Sequence, residues 1–290
     1  MLEMRLLHRI VLLVLLSVLT IASVSCGREH GEVVRIGVND LALPHWAVYK
    51  KKAAEQGITV EFVNFTDYNQ PNPALAQGQI DLNKFQHVRY LANYNVANND
   101  TLTPIGASEI FPLTLYSRKH KSVTEIPQGG EITLSNNPAN QVRPLLSLAA
   151  AGLVVLKNGA TWDSKIEDVD TAASKVKLTT IDPTLTAPSL DSVDAAFVDD
   201  TFATPAGLTD KDVILTDDPE RPELKQYINV FAARAEDKDN PTLLKLAALY
   251  HDPDVEAEVR AESGYQGIFK SNSPEDLQTT LGELEKHFRG

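Results

Sequence analysis

One cysteine, Cys26, serves the whole chain. That scarcity excludes an internal disulfide and a zinc cluster, and it leaves no thiol nucleophile in the body beyond Cys26. Histidine is sparse as well: of seven in the chain, those past the N-terminal segment (His45, His87, His120, His251 and His287) are scattered, with no His-x-His pair or His-rich loop, so no metal is expected. Positive charge is in deficit, with 27 Lys and Arg against 39 Asp and Glu and a net charge of −12. Nucleic acid binding needs clustered cations to displace counterions, and polybasic adsorption to a membrane needs them too; neither is expected. The phosphate-cradling patterns G-x-G-x-x-G and G-x-x-x-x-G-K-[ST] are absent, so no nucleotide cofactor is implied. G-x-S-x-G and H-E-x-x-H are absent too, which removes the common hydrolytic chemistries.

The apolar run Ile10–Ala22 is too short for the ~20 residues of a spanning helix. With Arg5, His8 and Arg9 before it, the run has the layout of a signal peptide over residues 1–25. Ser23-Val24-Ser25-Cys26 resembles the bacterial lipoprotein cleavage box, although Ser23 stands where that box usually has leucine. The resemblance implies that Cys26 is lipidated and becomes the new N-terminus. Cleavage removes Glu3, Arg5 and Arg9, leaving a more acidic body whose membrane contact must come from the lipid. Residues 26–32 read as a polar tether.

The rest is long enough for two lobes. Strand patterns fall at Val33–Val38, Thr59–Phe65 and Ile80–Leu82, with extended sequence over Leu102–Ile110. Helical patterns fall at Pro44–Gln56, closed by Gly57, at Asn72–Gln77 and at Phe85–Val96. A second series has strands at Glu131–Leu134, Lys177–Ile181, Asp194–Val198 and Val213–Leu215, and helices at Gln141–Ala151 and Phe202–Ala206. A returning strand at Tyr227–Ala233 precedes amphipathic helices at Thr242–Tyr250 and Glu275–Phe288. The alternation predicts largely parallel sheets. One α/β unit inserted in another gives the two-lobe plan of bacterial solute receptors, a periplasmic-binding-protein-like (type II) fold. Crossings are expected near Leu115–Arg118 and Lys225–Asn229, with lobe 1 at 33–116 and 228–290 and lobe 2 at 117–227.

The stretch Phe65–Leu91 carries more chemistry than a core needs. Tyr68 lies just past the carboxyl end of the second strand, where open α/β sheets bind ligands. Asp67-Tyr68, Pro71-Asn72, Ala74-Leu75, Gly78, Asp81, Asn83, Phe85-Gln86-His87 and Tyr90-Leu91 follow the pattern D-Y-x-x-P-N-x-A-L, G-x-x-D-x-N, F-Q-H-x-x-Y-L. This resembles the methionine-binding lipoprotein (MetQ/NlpA) family of ABC-importer receptors. The resemblance implies an extracytoplasmic, lipid-anchored receptor that performs no chemistry and passes a small ligand to an ABC permease and its ATPase.

Read from the residues alone, Asn140 and Arg143 are equally a helix cap with a solvated arginine, or a carboxylate receptor at a helix N-terminus. The resemblance favours the receptor, since Asn136, Pro138, Asn140 and Arg143 follow the family's N-D-P-x-N-x-x-R. Pro144 is a departure that suits only a first helical turn and could shift Arg143. Tyr68, Phe85, His87 and Tyr90 are expected to form an aromatic slot suited to a thioether, although Phe85 and Tyr90 would otherwise read as core. His87 reads as a core histidine or a polar contact. Asn229, in the family's Y-x-N strand, is expected at an amino-acid head group. Asp199 replaces the family's usual asparagine; as an acid it suits an α-ammonium, and it widens the expected ligand from methionine to a related amino acid or short peptide. Two other readings stay open: a two-lobe dehydratase- or deaminase-like enzyme using Asp199 with His87, and a surface lipoprotein that binds another protein.

Overall fold

The computed structural model describes residues 33–262 and 265–290. The expected signal peptide, the tether and Cys26 lie outside the described residues. The first part of the chain runs β1 (Val33–Val38), α1 (His45–Glu55), β2 (Thr59–Asn64), α2 (Pro71–Ala76), β3 (Leu82–His87), α3 (Val88–Asn98), β4 (Thr103–Ala107) and β5 (Glu109–Ile110). It continues through β6 (Thr114–Tyr116), β7 (Gly130–Ser135), α4 (Val142–Ala150), β8 (Val176–Ile181), α5 (Thr186–Ser189), β9 (Ala195–Phe197), α6 (Asp200–Ala203) and β10 (Val213–Thr216). The return consists of β11 (Asn229–Ala233), α7 (Pro241–Leu249), α8 (Pro253–Arg260), β12 (Ile268–Phe269) and α9 (Pro274–Arg289).

Two five-stranded sheets result, ordered β2-β1-β3-β11-β4 and β10-β6-β9-β7-β8, one for each lobe. Pairing is parallel for β1 with β3 and for β7 with β8 and β9. It is antiparallel for β11 with β3 and β4, and for β6 with β9 and β10. The sheets are therefore mixed where largely parallel ones were expected. The reason is connectivity: β6 and β11 are the strands by which the chain arrives from the opposite lobe, so each enters its sheet from the cleft end. Because Thr114–Tyr116 belongs to the second sheet, the first crossing lies at 111–113, ahead of the expected Leu115–Arg118.

The first sheet is covered on both faces. Trp46 and Tyr49 of α1 pack with Phe231 and Leu246, and Leu91 of α3 packs with Leu277 and Leu281 of α9 on the other side. Each such large apolar side chain contributes about 1.5–3 kcal/mol on burial. At Gly106 a Cβ would stand 2.8 Å from Ala247 Cβ, so the glycine is what lets α7 lie against β4. Gly57, with φ +76, ends α1 as the sequence suggested.

Local patterns misled at several places: the strand expected at Ile80–Leu82 starts only at Leu82, the helix expected at Phe202–Ala206 runs over Asp200–Ala203, and α5 and β12 had no counterpart. Phe85–His87 was expected to open a helix but forms the end of β3, because Gln86 and His87 pair with Val230 and Asn229 of β11. Cross-strand pairing outweighs local propensity there. Helix α8 was not anticipated, although Asp252 caps it through the N–H of Asp254, Pro253 occupies its first turn, and Val255 and Val259 bury one face.

Candidate functional site

A cavity of about 150 Å³ lies between the lobes, and all eight residues singled out from the sequence line it: Tyr68, Phe85, His87, Tyr90, Asn140, Arg143, Asp199 and Asn229. Tyr68, Phe85, His87 and Asn229 come from the first sheet and its loops, Tyr90 from α3 of the same lobe, and the other three from the second lobe.

The cavity wall is held from behind by a buried amide cluster. Asn72 and Gln86 exchange side-chain hydrogen bonds at 2.7 and 2.6 Å, and Asn83 Nδ2 donates to Asn72 Oδ1 at 2.9 Å. Satisfied buried amides are rigid because breaking one leaves an orphaned dipole. The cluster ties the start of α2 to β3 and fixes the strand that presents Phe85 and His87. Phe85 and Tyr90 meet edge to face at 5.7 Å, and Tyr68 contacts Phe202 of the opposite lobe at 5.4 Å.

His87 is fully engaged. Its Nδ1 accepts the backbone N–H of Tyr90 at 3.0 Å, which caps α3 and places the ring proton on Nε2. Nε2 then donates to Asn140 Oδ1 at 3.0 Å, a hydrogen bond between the lobes. Burial, with Arg143 and Arg89 nearby, lowers its pKa to about 3. A histidine with both nitrogens committed and so low a basicity is not a general base at neutral pH.

Arg143 reaches the cavity despite Pro144, because α4 starts at Val142 and the proline sits in the first turn, where its missing N–H is harmless. What the sequence did not reveal is its partner. Arg143 Nε and Nη2 grip both oxygens of Asp217 at 2.7 Å, Nη2 also donates to the Phe111 carbonyl at 3.1 Å, and the guanidinium lies 5.1 Å from the Tyr227 ring. The two N–H groups of Nη1 have no partner among the described residues. A bidentate grip of this kind fixes the plane of the fork. Asp217 in turn accepts the Leu113 N–H at 2.8 Å, which ties the arginine to the first crossing.

Asp199 lines the same cavity, and its carboxylate makes no hydrogen bond among the described residues. Burial pushes its pKa up to about 6, against the pull of Arg143. Tyr227, which the sequence reading left in the returning strand, also lines the cavity, and its buried hydroxyl makes no well-aligned hydrogen bond among the described residues. The F-Q-H and Y-x-N spacing could have pointed to it, since His87 and Tyr227 pack at 4.8 Å.

Two α/β lobes joined by two crossings, closing a polar and aromatic cavity between them, define a substrate-binding protein. The chain belongs to the NlpA lipoprotein family, whose profile matches residues 34–271. It is similar to the D-methionine-binding lipoprotein MetQ of Yersinia pestis, with 34% identity over 243 residues, 81% of this chain and 88% of the relative. Among solved structures it resembles the substrate-binding protein of a methionine transporter from Streptococcus pneumoniae, with TM-score 0.75 and 32% identity over 82% of this chain and 95% of that one. It also resembles a nutrient-binding protein from Burkholderia cenocepacia bound to methionine, with TM-score 0.75 and 32% identity over 82% of this chain and 99% of that one. These relatives are binding proteins, not enzymes, and the chain is a non-enzyme on the same ground.

Proposed function

We propose that the chain is a lipid-anchored receptor on the extracytoplasmic face of the cell membrane. It binds methionine, or a related amino acid or short peptide, between its lobes and delivers it to an ABC permease and its ATPase. The single observation that carries this reading is the charge pattern of the cavity. One wall offers the free Nη1 of Arg143 and the N-terminus of α4 to a carboxylate, and the same cavity offers the unpartnered Asp199 to an ammonium. That is the complement of a zwitterionic α-amino acid. Asn140 and Asn229 add amide groups around the head group, and the Tyr227 hydroxyl adds another polar contact. Tyr68, Phe85 and Tyr90 supply the aromatic surface on which a thioether gains roughly 0.3–1.5 kcal/mol. The relatives named for methionine add the ligand class.

In this reading the lobes close as a hinge, with lobe 2 at 114–227 swinging on the segments 111–113 and 228. The hydrogen bond from His87 to Asn140 and the contact of Tyr68 with Phe202 belong to the closed form. The lipid on Cys26 would hold the acidic body at the membrane. The enzyme alternative is disfavoured by the engaged, weakly basic His87. The protein-binding alternative gains nothing from the exposed large apolar residues Val33, Leu41, Val155 and Leu185, which are scattered along the chain. Native mass spectrometry of the purified protein, followed by calorimetry with methionine, tests the proposal. A copurified amino acid and a saturable methionine isotherm are expected; no binding of any amino acid would overturn it.

A further inference from the structure

Between α4 and β8 the second lobe carries a long loop whose two ends are rooted in its own core. Leu156 and Val169 pair there across an isolated antiparallel bridge, and both pack in the cluster of Ile132, Leu134 and Leu148. The tip of the loop behaves differently. The Thr161 N–H donates to Ser164 Oγ at 3.0 Å and the Ser164 N–H donates to the Thr161 carbonyl at 3.0 Å, closing a tight turn with Trp162 and Asp163 at its apex. Trp162 packs not on its own lobe's core but against the cluster that holds Leu91, Leu277 and Leu281 of lobe 1. Asp163 pairs with His287 of α9. Beside the turn a cleft of about 870 Å³ runs between the loop and the helices α3 and α9, so the tip reaches the other lobe across an open gap.

Lobe 1 holds Trp162 by its backbone as well as its ring. The Trp162 carbonyl accepts from Arg89 Nη2 of α3 at 3.2 Å, while Arg89 Nη1 donates to Gln226 at 2.9 Å. The guanidinium is buried and lies 5.0 Å from the Phe288 ring, so its planar fork is fixed and ties the turn to the second crossing. The Trp162 ring lies 6.2 Å from the Tyr227 ring, inclined at 45°, within the range of attractive aromatic pairs. Tyr227 lines the ligand cavity and lies 4.8 Å from His87 and 5.1 Å from the Arg143 guanidinium. Trp162 itself does not line that cavity. It stands one ring behind the wall, and Gln226 and Tyr227, the residues that Arg89 and Trp162 hold, adjoin the hinge at 228.

We propose that Trp162 is a positioning residue of the ligand site: seated on lobe 1, it keeps the Tyr227 ring in the cavity wall and stabilises the closed lobes without touching the ligand. The contacts of His87 with Asn140 and of Tyr68 with Phe202 hold the lobes together on the cavity side. Trp162 and Asp163 add a strap on the α9 side, beyond Tyr227. A ligand enclosed between lobes leaves only when they part, so the strap acts on the rate of release far more than on the rate of capture. The inference rests on the receptor reading of the cavity.

Release of radiolabelled methionine from the purified full chain, chased with excess unlabelled methionine, tests it. Trp162→Ala should speed release by about two- to tenfold, the worth of one aromatic pair, and leave the association rate within about twofold. Trp162→Phe should recover most of the loss, because a ring still reaches Tyr227. Lys165→Ala, an exposed position in the same loop, should release at the wild-type rate. A lower melting temperature for Trp162→Ala with unchanged release, or an equal effect from Lys165→Ala, overturns the inference. A second measurement needs no alanine variant. With 5-fluorotryptophan incorporated, the two tryptophans, Trp46 and Trp162, give separate fluorine NMR lines, and Trp162→Phe assigns them. The Trp162 line should shift when methionine is added; an unmoved line means that the contact is indifferent to closure and also overturns the inference. Either failure in a wild type that holds methionine leaves the receptor reading intact, whereas a wild type that does not hold methionine overturns both this inference and the methionine assignment.

Discussion

Replacing Arg143 with alanine separates two roles that one guanidinium combines. Three of its five N–H donors are committed to Asp217 and the Phe111 carbonyl, and the two on Nη1 are left for the ligand. Loss of the ligand contact is expected to weaken methionine binding by about 1.5–3 kcal/mol, the range for hydrogen bonds to charged groups, or roughly ten- to more than a hundredfold. Loss of the internal pair leaves Asp217 uncompensated; its side chain is 13% exposed, so the penalty approaches the ~3–5 kcal/mol seen when one partner of a buried pair is removed. Calorimetry reads the first quantity and urea unfolding the second. Arg143→Lys should restore part of the stability but little of the affinity, since a point charge cannot reproduce the fork. Stability lost with affinity unchanged would refute the reasoning, because the arginine would then serve only Asp217 and the crossing.

Three further outcomes are expected. An α-ammonium pairs only with ionised Asp199, so methionine affinity should fall as pH drops through about 6, and Asp199→Asn should flatten that profile and narrow the penalty for N-acetylmethionine; equal binding of free and acetylated ligand by the wild type would exclude the pairing. In the ligand-free protein the same group works the other way: its folded pKa is above the unfolded value, so its contribution to stability declines as pH rises through that window. His87 has a folded pKa of about 3 against 6.5 unfolded, so the stability it confers is complete above about 6.5 and lost as pH falls toward 3; His87→Asn, which keeps a capping acceptor, should show a shallower acid loss in thermal melts. Finally, Cys26→Ala should move the protein from the membrane fraction to the soluble one, and equal retention would defeat the lipid-anchor proposal.

Much of this was legible in the sequence because the signals were local. Strands β1, β2, β7 and β8 and helices α1, α4, α7 and α9 follow from periodicity and from glycines such as Gly57. The residues that meet at the cavity were found through motif spacing, which survives the long separation between Tyr68 and Asn229. What stayed hidden depends on partners far along the chain. Asp217 looks like any surface acid until Arg143, 74 residues earlier, is seen to grip it. Asn72, Asn83 and Gln86 look like motif polar residues until their amides close on one another. The strand character of Phe85–His87 exists only because β11 arrives beside it. Trp162 looks like a stray loop aromatic until its seat on the other lobe is seen.

The placement of β11 also sets the order in which the molecule can be completed. It is inserted between β3 and β4, so until residue 233 has been synthesised those two strands have no common neighbour and the first sheet is open at its centre. The second sheet draws only on residues 114–216, an uninterrupted stretch. As a chain emerges from its N-terminus, the lobe encoded in the middle can therefore finish first, and the lobe that begins the chain must wait, half-built, for its last strand. A chaperone acting on the nascent protein would find its clientele in the opening third of the sequence.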